Sequence, residues 1–133
     1  MRLWQKTLAT AVLVPILAVS GYVAYLWATY IDDTITSGAA YGFAIGASKQ
    51  EALITASRLS DYPHAAVYVS NGPRAGDHFT VAPLPVHIGQ LQPHDQWDLL
   101  LDGDGKFFNT IRLTFRNGAL TEIHRHRKHF ELP

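Results

Sequence analysis

Residues 107–130, FFNTIRLTFRNGALTEIHRHRKHF, decide the fold. Ile111, Leu113 and Phe115 alternate with polar residues, the period-two pattern of a strand with one buried face. Asn117-Gly118 is a hairpin signal, and Ala119 to about Phe130 returns antiparallel. The apolar pattern also selects a register. A plain two-residue loop pairs Arg116 with Ala119 and sets Ile123 beside Arg112, on the face away from Ile111. A turn with Gly118 as a bulge residue pairs Phe115 with Ala119, so that Ile111 faces Ile123 and Arg112 faces Glu122. A one-residue slip turns every side chain to the other face, so we expect the bulged register.

Upstream, Trp97 to Leu101 reads as another strand, joined to the one starting at Phe107 by the turn Asp102-Gly103-Asp104-Gly105. Residues 65–70 and His78 to Ala82 read as two shorter strands, and Pro83 and Pro85 confine the second to an edge. Gly89 to Asp95 reads as a loop. Ser48 and Glu51 form an S-x-x-E capping box that opens a helix over 49–59, with Ala52, Leu53, Ala56 and Leu59 as its apolar stripe. The expected class is α+β: an N-terminal transmembrane helix, then a small domain of one or two helices on an antiparallel meander.

The transmembrane segment is residues 8–31, LATAVLVPILAVSGYVAYLWATYI, about 24 residues without a charge. Arg2 and Lys6 precede it and Asp32 and Asp33 follow, so the positive-inside rule places residues 1–7 in the cytoplasm. Tyr22, Tyr25, Trp27 and Tyr30 gather toward its outer end, where aromatic rings settle at a headgroup boundary. The rival reading is a signal peptide cleaved after Ala18-Val19-Ser20, but the apolar run continues well beyond that point. We therefore expect a retained signal anchor, a linker over 32–42 and an extracytoplasmic domain over 43–133, at the periplasmic side of a bacterial inner membrane. Ser20, Ala24 and Ala28 recur every fourth residue and form a candidate helix-contact face.

Composition excludes several classes. With no cysteine there is neither a lipoprotein anchor nor a disulfide to staple the domain. Overall 11 bases balance 11 acids, and removing Arg2 and Lys6 leaves the part beyond Ile31 two charges negative. That balance gives no basic face for a nucleic acid.

Two pieces together resemble a known family. FAIGASKQEAL at 43–53 is similar to the entry segment of the SmpA/OmlA (BamE-like) family of outer-membrane assembly lipoproteins. NTIRLTFRNGALTEI at 109–123 resembles its final hairpin, and Trp97 matches a tryptophan that often begins its first strand. The resemblance implies one or two helices on a three-stranded antiparallel sheet. Ala47 replaces the usual Met, residues 62–96 intervene, and the lipobox cysteine is absent, so outer-membrane anchoring does not carry over.

The densest chemistry is His124-Arg125-His126-Arg127-Lys128-His129, part of a complement of seven histidines. His124 and His126 share one strand face with Glu122, a partial ligand set for zinc; His64, His78, His87 and His94 are further donors. The bases between them argue for a solvated basic strand end. Asp98, Asp102 and Asp104 suggest calcium, but the twelfth loop position is Leu113 rather than a carboxylate. No G-x-S-x-G, phosphate loop or cysteine nucleophile is present, and no catalytic residue, cofactor or small-molecule substrate is assigned. Trp97, Phe107, Phe108, Arg125, Arg127 and Lys128 are the candidate partner-binding residues. The expectation is a non-enzymatic, membrane-anchored interaction module of an envelope or membrane protein complex. The alternatives are a tethered immunity or inhibitor protein against a periplasmic toxin or hydrolase, and an exported His-rich metal-binding domain.

Overall fold

The first strand begins at Ile31, expected as the last residue of the transmembrane segment, and runs into the expected linker. A computed structural model describes residues 2–59, 62–70, 72, 76–103 and 105–128. The chain divides into two compact units, one holding the N-terminal helix and one comprising Ile31–Arg127. Helix α1 spans Leu3–Thr29, continues through Pro15 and has no buried residue. By length and composition it can cross a membrane.

The second unit is built on a six-stranded antiparallel sheet. In chain order its strands are β1 (Ile31–Ile35), β4 (Ala66–Ser70), β5 (His78–Val81), β6 (Gln96–Leu100), β7 (Asn109–Arg116) and β8 (Ala119–Arg127). A separate two-stranded ribbon joins β2 (Ala39–Ala40) to β3 (Phe43–Ala44). The spatial order is β1-β8-β7-β6-β4-β5. Strands β6, β7 and β8 form a meander, with β1 beside β8 and with β4 and β5 beyond β6. Residues 32–42 are therefore not a linker. Asp32 to Ile35 pair with His126 to Ile123, and Ala39 and Ala40 pair with Ala44 and Phe43.

The β7–β8 register also departs from expectation. Asn117 and Gly118 both adopt positive φ (53° and 79°), as a two-residue type I′ turn requires, so Arg116 pairs with Ala119. The bulge lies farther along. Leu120 faces Phe115 and Glu122 faces Thr114, which leaves Thr121 as the extra residue, its hydroxyl donating to the Thr114 carbonyl at 3.1 Å. Ile123 then faces Leu113 rather than Ile111, and Arg112 faces His124 rather than Glu122. An apolar residue still meets Ile123 on the buried face, which is the condition that selects a register.

The core lies on one face of the sheet. Val67, Val69, Trp97, Leu99, Ile111, Leu113, Phe115, Leu120 and Ile123 meet Ala52, Leu53 and Ala56 of α2 (Lys49–Ser57), Leu91 of α3 (Ile88–Leu91) and Phe43. The capping box of α2 forms: Ser48 Oγ accepts from the Glu51 amide at 3.2 Å, and Glu51 Oε2 accepts from the Ser48 amide at 3.0 Å. Gly46 and Ala47 clip the approach to α2 onto β8 through the Leu120 carbonyl and amide, at 2.7 and 2.8 Å.

Trp97, expected as a partner contact, is fully buried. Its indole N–H donates to the carbonyls of Leu91 (3.2 Å) and His94 (3.0 Å), and its ring lies 4.7 Å from that of Phe115. The segment read as a loop at 89–95 thus holds α3, preceded by a 3-10 turn at Pro85–His87, and wraps the indole. Lys49 is buried beside it. Its ammonium donates to the Gln92 carbonyl at 2.7 Å and to Asp95 at 2.9 Å.

Lys49→Ala strands the Gln92 carbonyl and leaves a void, and is expected to cost about 2–3 kcal/mol. Asp95 is 69% exposed, so Asp95→Ala is expected to cost about 1 kcal/mol or less. Denaturant unfolding of the full chain in mild detergent compares the two; equal losses would assign the effect to the ion pair instead of the carbonyl.

Candidate functional site: the uncovered sheet face

Strand alternation sends every second residue away from the core. On that outer face, register aligns Thr34, His124, Arg112, Asp98, Tyr68 and Thr80 in one row crossing all six strands. A second row runs Asp32, His126, Thr110, Leu100 and Ala66. Neither α2 nor α3 covers this face, because their buried residues join the opposite side, although Leu100 within the second row is fully buried.

The rows are tied by charge. Arg112 Nε donates to Asp98 Oδ1 at 2.7 Å; Arg112 is 46% exposed and Asp98 only 12%. The His124 imidazole meets Asp32 at 2.5 Å, a diagonal contact across the β1–β8 pair. Tyr68 is an aromatic step beside them. His78 stacks on it at 5.3 Å between ring centroids, and Phe107 meets it edge-on at 5.2 Å. Asp98, Phe107, Thr110, Arg112, His124 and His126 line a shallow depression of about 170 Å³. A second hollow of about 300 Å³ lies at the sheet edge, lined by Phe79, Thr80, Val81 and Gln90.

The sequence-expected residues divide between the two faces. Glu122, His124 and His126 project outward as expected, but among the described residues no group of three or more His, Asp or Glu is placed to hold a metal ion. The other histidines are dispersed: His78 lies on β5, His94 meets Phe79 edge-on, His87 sits in the 3-10 turn, and His64 neighbours Gly103. His129 lies outside the described residues. Arg125, expected at a partner surface, is on the inner face and 4% exposed. Its guanidinium donates to the carbonyls of Thr110 (3.2 Å) and His126 (2.7 Å) and lies 5.9 Å from the Tyr41 ring. Burial pushes its pKa below the usual arginine value, Arg127 adds to that effect, and Tyr62 and Tyr41 oppose it. Phe107 and Phe108 are not in a strand, since β7 begins at Asn109; both stand in the preceding connection, 44% and 39% exposed. Arg127 is half-buried at the end of β8, and Lys128 beyond it is exposed. Asp102 accepts from the Asn109 side chain at 3.3 Å, while Asp98 is engaged by Arg112 in a strand.

Sequence reasoning did not bring Asp32, Arg112 and Asp98 together as one surface. Strand alternation could have placed each on a face, but the long-range pairing β1–β8 is needed to bring them together. Chemically the row presents paired charges, hydroxyls and aromatic rings. That suits hydrogen-bonded and stacking contact with a surface. No family model, curated protein or solved structure matches this chain.

A double-mutant cycle on Asp98→Asn and Arg112→Gln is expected to give a coupling of about 1 kcal/mol, reduced by the exposure of Arg112. A coupling of zero would remove the pair as an organising contact of the face.

Proposed function

We propose that this protein is a non-enzymatic interaction module held at a bacterial inner membrane by α1 as an uncleaved signal anchor. Its α+β domain works on the extracytoplasmic side and receives a protein partner on the uncovered sheet face. The observation that carries this reading is the cross-sheet row from His124 to Tyr68. It is a broad, hydrogen-bonding and aromatic surface that neither α2 nor α3 covers. Aromatic and arginine side chains are the types enriched where protein surfaces meet.

Other features agree with it. Helix α1 is long and apolar enough to cross a bilayer, with Arg2 and Lys6 before its apolar stretch and Asp32 and Asp33 after it. The likeness of residues 43–53 and 97–123 to the SmpA/OmlA family favours an envelope complex as the partner's setting.

A photo-crosslinking residue at Thr80, Thr114 or Arg112 is expected to trap one discrete partner in intact cells, and the same residue at Arg58, just past α2, is not. Equal trapping from both sides, or none from the sheet face, would overturn the assignment. Topology is tested separately by a periplasm-active reporter fused after Pro133; activity from a cytoplasmic reporter alone would reverse it.

A further inference from the structure

The end of the sheet at which the chain leaves α1 carries the domain's exposed phenylalanine pair. We infer that this end is a lipid-contacting surface, with Phe107 and Phe108 resting in the membrane interface. The inference rests on the anchor reading of α1 given above. Only Tyr30 separates Thr29, the last residue of α1, from Ile31, the first of β1. A single connecting residue leaves no length of chain for a spacer.

Register identifies what else lies at that end. Ile31 faces Arg127, Arg127 faces Asn109, and Leu100 faces Thr110. The connection from Leu100 to Asn109 thus caps the same end, two strand spacings, or about 10 Å, from β1. Phe107 and Phe108 stand in it at 44% and 39% exposure, with Lys106 exposed beside them. Lys128 follows the end of β8. Adjacent exposed phenylalanines lose area to water when an interface takes them up, and lysine ammonium groups meet lipid phosphates at the same depth. Asp102 and Asp104 belong to the same connection, so the local charge is nearly balanced. The contact is therefore mainly apolar and does not need anionic lipid.

The absence of cysteine makes the test direct. Full-length chain with Lys106→Cys is labelled with an environment-sensitive fluorophore and reconstituted into phosphatidylcholine vesicles. Label at Arg116→Cys, by the β7–β8 turn at the other end of the sheet, and at Leu13→Cys, in mid-helix, is compared with it. The expected result is blue-shifted emission at Lys106→Cys, quenched by nitroxide lipid and shielded from aqueous iodide, with Arg116→Cys fully open to iodide. The shielding persists in about 1 M salt, where the Debye length is about 3 Å, and is lost in the Phe107→Ser/Phe108→Ser background. A Lys106→Cys label as accessible as Arg116→Cys overturns the inference while leaving the anchor intact. Shielding that survives loss of both phenylalanines overturns their role. Iodide access at Leu13→Cys overturns the anchor reading, and the inference with it.

Discussion

A main core gathered on one side of the sheet is the constraint from which the rest of the domain follows. Six strands present two faces, but the cover consists of α2 with nine residues, α3 with four and the segment around Phe43. So little cover must fit closely. Ala52 and Ala56 let α2 approach the sheet, and Leu53 fills the space between. The indole of Trp97 reaches from the sheet into the turn after α3, so the cover is held by hydrogen bonds as well as by packing. Lys49 completes the seam with a buried ammonium that donates to the Gln92 carbonyl and to the Asp95 carboxylate.

What was legible in the sequence was what neighbouring residues decide among themselves. The Ser48–Glu51 box, the alternation of Ile111, Leu113 and Phe115, and the Asn117-Gly118 turn are local, and the folded chain has all three. Strand β1 was hidden because Asp32, Asp33 and Thr34 look like a linker and its partner lies far along the chain. The β7–β8 register was misplaced because a bulge at the turn and a bulge at Thr121 both put Ile123 on the buried face. Trp97 and Arg125 were assigned to the surface by residue type. Their burial depends on carbonyls supplied by the α3 turn and by the strands beside Arg125. The outward direction of Glu122 and His124 was read correctly, since it depends only on parity.

The uncovered face follows from the same asymmetry. A polar sheet face can remain in water without cost, but here it is organised, with acids matched to bases across neighbouring strands and aromatic rings set alongside. Matched charges lose less on desolvation than isolated ones, provided that their hydrogen bonds persist. A partner seated over this row would exclude water without stranding a charge. An Arg–Asp pair fixed by strand register also presents donors and acceptors in a defined geometry, which favours discrimination between surfaces over raw affinity.

The pairing of β1 with β8 also governs the order of assembly. Ile31 finds Arg127 only across almost the full length of the domain, while β4–β5 and β7–β8 are neighbours in the chain. Loop closure of that length is slow relative to hairpin formation. As the chain is synthesised, β1 emerges first and waits unpaired until Ala119–Arg127 has followed. During that interval its backbone donors and acceptors are open to any strand edge nearby. The late event is therefore the joining of β1 to the free edge of the β7–β8 hairpin, and a chain interrupted before residue 119 would leave both β1 and that edge of β7 without β8.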